Sequence, residues 1–420
     1  MTLSGFRKAG HTPTLLASFL YFDVSFMVWV ILGPLGPFIG DALKLTATQK
    51  GFLIALPLLA GSFFRPIMGL LADRIGGRKT GLIGLTLTLI PLVLGWQFAS
   101  SLTHFHLIGL MLGIAGASFA VALPLASRWY PPEYQGMAMG IAGAGNSGTL
   151  LATLFAPRLA TAFGFHGVFA IALIPVCLVM AAFALLAKDS PKQVAPSKWS
   201  DYAEVLREKD TAWFCMMYCI TFGTFVGLAS FLTVFFHDQY GLAKVAAGDF
   251  TTFAVFSGSF LRPVGGMISD RIGGYRLLLV LMVGISLCLG GIGLVPPVNV
   301  ALLLLIVAMG MLGMGNGAVF QMLPQRFPTR VGILTGIVGA AGGVGGFLLP
   351  SMLGAIKDRT GQYGFGFAIC ASAIFAGALI LLYLGHGWLE SWGAKSASRA
   401  GLFSYRSLLK NQSDASDLAA

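Results

Sequence analysis

The sequence predicts an all-α membrane protein with twelve transmembrane helices in two related six-helix bundles. Three observations carry that expectation. Of 420 residues, 56% are hydrophobic and 10% are charged, with mean hydropathy +0.82; an ordinary soluble domain carries about 25% charged residues. Apolar runs of the length a helix needs to cross a bilayer, about 20 residues, recur along the chain, and they are continuous rather than alternating as barrel strands are. Finally, one stretch occurs twice. Residues 61–79, GSFFRPIMGLLADRIGGRK, return 197 positions later at 258–276 as GSFLRPVGGMISDRIGGYR, with eleven of the first seventeen aligned positions identical.

In chain order, residues 1–11 are polar. The apolar run after them is too long for a signal-peptide core and lacks a clear cleavage site, so it is expected to be retained as the first span. Spans are expected at 14–40, 48–72, 79–99, 103–127, 135–157 and 165–187, then at 211–236, 245–269, 276–294, 299–323, 330–354 and 363–386. The longest polar segment, 188–210, holds Pro191, Pro196 and mixed charges and reads as an exposed linker. The chain thus divides into a bundle at 1–187, the linker at 188–210, a second bundle at 211–393 and a polar tail at 394–420, expected to fray.

Nineteen Lys and Arg fall on the side of the termini and linker and six on the other. The positive-inside bias therefore places the termini in the cytoplasm. The same bias accounts for the net charge of +11 without nucleic acid, for which no basic helix interleaved with aromatics exists. Cys177, Cys215, Cys219, Cys288 and Cys370 lie in apolar runs without metal or redox spacing and read as packing residues. No metal and no cofactor is expected.

Each copy of the repeat ends in a charged turn. Gly69-x-x-x-Asp73-Arg74-x-Gly76-Gly77-Arg78 resembles the loop signature of the major facilitator superfamily between the second and third spans. The second copy, with Asp270 and Arg271, sits at the equivalent place in the other half. The resemblance implies that Asp73, Arg74, Asp270 and Arg271 help close the cytoplasmic side. A pair of six-helix repeats also suits a transporter whose substrate site lies between the halves near midplane.

Apart from loops and span ends, three ionised residues remain: Asp23, Arg65 and Arg262. A charge at the bilayer centre costs at least about 2.5–3.5 kcal/mol, so it faces a cavity or a partner. Arg65 and Arg262 each lie eight residues before an aspartate of the charged turn, about 12 Å along a helix, and symmetry puts them level. Two guanidiniums at one depth repel, and a planar oxyanion between them resolves the repulsion through paired donors. The alternative is structural: one arginine pairs with Asp23 and the other reaches a backbone carbonyl or water. Tyr218 and Phe222 are four apart on the seventh span and share a face. Phe119 lies in the fourth. Asn146 lies in Gly143-Ala144-Gly145-Asn146-Ser147-Gly148, and glycine runs recur around Gly315 and Gly343. These runs lack a phosphate-loop Lys-Ser/Thr and read as small residues that let helices approach.

At these residues the chain resembles the nitrate/nitrite porter family (NarK/NasA-like) of the major facilitator superfamily. The likeness rests on Arg65-Pro66, Arg262-Pro263 and the glycine-rich stretches 143–148 and 339–350, and it covers residues 14–386. It implies that Arg65 and Arg262 clamp nitrate or nitrite, with Phe119 and Phe222 as an aromatic sandwich and Tyr218 and Asn146 beside it. The segment 22–29 resembles the subgroup assigned to proton-coupled uptake, which makes Asp23 the coupling candidate. Asp23 is equally open to a structural role.

The expected function is secondary active nitrate transport across the cell membrane for assimilation, by proton symport, in a monomer that is not an enzyme. Nitrate/nitrite antiport and exchange of small carboxylates such as oxalate or formate are the alternatives within the superfamily. A receptor that binds the anion without moving it is disfavoured, because no soluble signalling domain accompanies the spans.

Overall fold

The structure, a computed structural model, describes residues 3–191, 199–327 and 331–402. Of the residues named above, Pro196 of the linker and the tail beyond 402 lie outside them. All regular structure among the described residues is helical. Ten helical stretches are long and apolar enough to cross a membrane. One of these, Met137–Leu186, has 50 residues and turns at Gly164, whose φ of 70° and ψ of 163° interrupt the helix; it supplies the fifth and sixth expected spans. Helix Lys244–Ile272 has 29 residues, the same as Ala47–Ile75, and supplies the eighth. Each expected span thus falls mainly on helix, with position 330 outside the described residues.

The helices run past several expected limits because their last turns are charged. Val331–Thr360 ends in Lys357, Asp358 and Arg359, which an apolarity reading leaves out. Local signals set the boundaries. Thr46 and Gln49 form a reciprocal capping box at the start of Ala47–Ile75, which satisfies two orphan N–H groups. Gly76 and Gly273, at φ 91° and 89°, end the two repeat helices, a conformation that side chains resist.

Four spans are broken inside the membrane. Thr12–Trp29 gives way to Leu32–Leu43, and Leu102–Gly116 to Phe119–Ser127. Pro132–Gly143 passes through a 3₁₀ turn at Ala144–Ser147. Lys209–Tyr218 passes through a π turn at Cys219–Gly223 into Thr224–Tyr240. Irregular backbone at membrane depth persists where it is buried in protein or lines a cavity.

Glycine lets the two halves meet. On Val331–Thr360, Gly343 lies against Ser62 and the Leu58 carbonyl, while Gly51 lies against the Pro350 carbonyl. Gly248 packs on Pro157 and the Thr153 carbonyl. The outer faces are apolar: Leu185 is 80% exposed and Leu294 84%. Surface of that kind belongs against lipid rather than water.

The two ends of the bundle are held differently. At the end remote from the linker, side chains join the first half to the second. Lys50 pairs with Asp238, Lys244 with Asp41 at 2.5 Å, and Arg158 with Asp249 at 2.7 Å. Asp358 accepts the N–H groups of Ala47 at 3.0 Å and Thr48 at 2.8 Å. At the linker end the ion pairs found among the described residues are Arg128 with Asp73 at 2.6 Å and Arg326 with Asp210 at 2.5 Å. The far end is therefore closed by ties between the halves.

Two expectations need correction. The linker is not simply exposed: Trp199–Arg207 is a helix, and its Tyr202 and Val205 are buried. Burial and the nearby Asp73 push the Tyr202 hydroxyl up to about 12, so it stays neutral. The tail does not fray from its start either. Ala394–Ala400 is helical, and Gly401 packs on Gly273 while its carbonyl accepts Arg276 Nε at 2.9 Å. Ala397, Ala400 and Leu402 are its apolar anchors, too short a set to stand out in a polar stretch.

Candidate functional site

Arg65 is 1% exposed, at the middle of Ala47–Ile75. Its hydrogen-bond and ring partners are neutral. Arg65 Nε donates to the Gly116 carbonyl at 3.1 Å. That carbonyl is free because the fourth span breaks there: Ala120 N–H, its helical partner, turns to Ala117 instead. Arg65 Nη1 donates to the Gly339 carbonyl of the facing half. Its Cζ sits 5.2 Å from the Trp29 ring centroid, 5.6 Å from Phe119 and 5.3 Å from Phe222, within the range in which ring faces attract a cation. Nη2 is buried and has no partner.

Phe222 lies in the π turn, an irregularity that often marks functional positions. It stacks on Tyr218 at 5.0 Å and 1°. Gly342 lies against both rings, and a methyl there would come within 2.7 Å of each. Tyr218 also meets Phe320 edge-on at 4.9 Å. The Tyr218 hydroxyl lies in the field of both arginines, that of Arg262 the stronger. Arg262 is half-buried, and its Nη1 is buried without a partner. The structure therefore brings Arg65, Phe119, Tyr218, Phe222 and Arg262 together, with a buried unpaired N–H on each guanidinium. A buried donor without a partner costs about 1–3 kcal/mol, more on a charged group, so such a pair is a place for an acceptor.

Asn146 is 2% exposed in the 3₁₀ turn, with an unpaired Oδ1. The preceding Gly145 packs on Phe22, which lies 5.7 Å from Phe119. Asn146 thus stands one ring removed from the aromatic group. Asp23 does not pair with either arginine among the described residues. It accepts Ser147 Oγ at 2.6 Å, holding the fifth span to the first. Of the structural alternatives, the backbone-carbonyl partner is the one that Arg65 takes.

At the linker end Asp73 pairs with Arg128. Arg74 lines a cavity of about 450 Å³ with Lys79, Asp189 and Ser190. Asp270 and Arg271 are exposed, and the position matching Arg128 is Gln325. The second half instead seats Asp210 between Arg326, Trp388 Nε1 at 2.8 Å and Trp392 Nε1 at 3.3 Å. Sequence reasoning missed Arg128 and Asp210, which read as ordinary charges at span ends. It also missed Trp29, whose apolar surroundings in the first span read as core.

The family model described as Major Facilitator Superfamily matches residues 17–350. The nitrite extrusion protein of Bacillus subtilis (strain 168) is 31% identical over 86% of this chain and 91% of its own. The probable nitrate/nitrite transporter NarK2 of Mycobacterium tuberculosis (strain CDC 1551 / Oshkosh) is 34% identical over 80% and 86%. The probable nitrate/nitrite antiporter NarK1 of Thermus thermophilus is 32% identical over 84% and 87%. Among solved structures, a D-xylose-proton symporter superposes with a TM-score of 0.74 at 15% identity, over 88% of this chain and 97% of that one; this likeness concerns the fold. The chain is a multi-pass membrane transporter rather than an enzyme, and it belongs to the nitrate/nitrite porter family of the major facilitator superfamily.

Proposed function

We propose that this transporter carries nitrate, and nitrite with it, across the cell membrane by alternating access, with the anion held between Arg65 and Arg262. One observation carries the reading: each of these arginines keeps a buried N–H without a partner, beside stacked aromatic faces. A flat, weakly hydrated monovalent anion fits two planar donor forks at its edge and rings at its faces. The relatives are named for nitrite or for nitrate and nitrite, and one of them is named an antiporter. The halves at 1–187 and 211–393 rock about the site, with the linker and tail in the cytoplasm. Asp73, Arg74, Asp270 and Arg271 act at the cytoplasmic closure. Proton symport is the leading coupling, with Asp23 as its titrating group.

Purified protein in liposomes tests this. With a pH-sensitive dye inside and no internal anion, nitrate entry with acidification of the lumen supports symport. Entry only after nitrite is loaded inside, without acidification, replaces symport by exchange and leaves Asp23 structural. No nitrate flux in either condition overturns the substrate. Alanine at Arg65 or Arg262 is expected to abolish uptake.

A further inference from the structure

Arg65 and Arg262 are symmetric in sequence but not in how they are held. Arg262 is half-buried, and its field reaches the Tyr218 hydroxyl. Arg65 is fully buried, and no carboxylate pairs with it among the described residues. A buried cation needs compensation from somewhere. Two carbonyls supply part of it, and three rings supply the rest.

Of these rings Trp29 is the one built in place. It is fully buried, its Nε1 donates to the Pro57 carbonyl at 2.7 Å, and Phe26 meets it edge-on at 4.9 Å. Pro57 stands two turns before Arg65 on the same helix, so that bond ties the indole to the element that carries the guanidinium. The slot for the indole is made by two glycines. A methyl on Gly61, one turn before Arg65, would come within 2.9 Å of the indole, and Gly116 lies against the indole from the fourth span. Gly116 is also the residue whose carbonyl receives Arg65 Nε. One side of Arg65 is thereby fixed by a ring face and an acceptor, and Nη2 is left unpaired. The position 197 residues after Trp29 is Val226; against Gly258, the repeat counterpart of Gly61, lies the ring of Phe225 instead, which has no N–H to tie it to the helix of Arg262.

We infer that Trp29 is a positioning residue for anion binding: it holds the Arg65 guanidinium in a fixed plane, while Arg262 is the clamp member left free to move. The inference rests on the anion reading above. An indole is the strongest cation-holding face among the side chains, and it does so without the negative charge that would compete with the anion. A carboxylate there would satisfy Arg65 and cancel the attraction for substrate.

The test compares wild type with Trp29→Phe and Trp29→Leu in detergent, using sodium nitrate and sodium nitrite as probes. Thermal melting is measured with and without anion, and uptake KM and maximal rate in liposomes. Trp29→Phe keeps a ring face and is expected to hold nitrate KM within about threefold. Trp29→Leu keeps apolar bulk and loses the face. It is expected to raise KM about tenfold with the maximal rate within twofold, and to shrink the anion-induced melting shift while the anion-free melting point matches that of Trp29→Phe. Tenfold corresponds to about 1.4 kcal/mol. Equal KM in Trp29→Leu and wild type overturns the inference. So does a loss of anion-free stability that is equal in both variants and explains any loss of uptake, since that is packing alone. A wild-type protein whose melting and flux ignore both anions overturns the substrate reading itself, and the tryptophan role falls with it.

Discussion

At the scale of single residues, the proposed clamp rests on planar forks rather than on charge alone. Arg65 uses Nε for Gly116 and Nη1 for Gly339 and has Nη2 left over. A lysine has one ammonium to spread over the same directions and no planar face to lie along Trp29, Phe119 and Phe222. Arg65→Lys and Arg262→Lys are therefore expected to lower nitrate uptake at least about thirtyfold while the protein still reaches the membrane, checked by flux per mole of purified carrier. Uptake near wild type in either variant would remove the clamp. The two arginines were legible because an ionised side chain in an apolar run has few explanations, and the repeat doubled the signal. Tyr218 and Phe222 were legible as a four-residue pair, although the π turn that seats Phe222 was not. Trp29 and the carbonyls of Gly116 and Gly339 were illegible for a physical reason. A tryptophan in a span looks like any core residue, and a carbonyl becomes a ligand only where the helix breaks or another helix arrives.

At the scale of elements, each half fastens its own linker end, but with different parts. In the first half Asp189, just after the sixth span, accepts the Arg78 N–H at 3.0 Å. In the second, the stretch after the twelfth span returns to the matching turn and offers the Gly401 carbonyl to Arg276. The repeated turn was plain in the sequence. Its partners were not, because they lie more than a hundred positions away and carry no repeated motif. Asp210 is the most heavily used of these fastenings. It is 9% exposed and receives Arg326 and two indole N–H groups, with Phe214 stacked 5.9 Å from Trp388. Asp210→Asn keeps the volume but leaves Arg326 without its counter-charge. Breaking one member of a buried pair costs about 3–5 kcal/mol, and since the Arg326 side chain is 28% exposed the lower end is expected. The check is a clear fall in the melting point of the detergent-solubilised carrier. An unchanged melting point would mean that the seventh span is held without this cluster.

At the scale of the whole molecule, the far end is tied between the halves by ion pairs and hydrogen bonds, so the fold as seen is closed at that end. The three far-end ion pairs and the Asp358 bonds must all part before the site opens there. Lys50–Asp238 is the most enclosed, with side chains 12% and 13% exposed, and Tyr363 adds a hydrogen bond to Asp238 at 3.2 Å. A partly exposed pair contributes up to about 1 kcal/mol, which shifts a two-state equilibrium about fivefold. Lys50→Gln is then expected to raise the far-end-open population by about that factor. Spin labels on opposite sides of the far-end mouth would report it as a growing long-distance component, and reagent access to a cysteine placed in the first span above Arg65 would rise in step. A reversed pair, Lys50→Asp with Asp238→Lys, is expected to return both signals toward wild type, because the attraction is restored with its sign exchanged between halves. If the single variant leaves the distance distribution unchanged, the latch lies in the remaining far-end ties, the Lys244–Asp41 and Arg158–Asp249 pairs, the Asp358 bonds and the contacts of Gly51 and Gly248. If the reversed pair fails to restore closure while the single variant opens the mouth, the lysine acts through something other than Asp238. The first of these outcomes removes Lys50 from the latch and the second gives it another partner; only recovery in the reversed pair assigns closure to the Lys50–Asp238 charge pair.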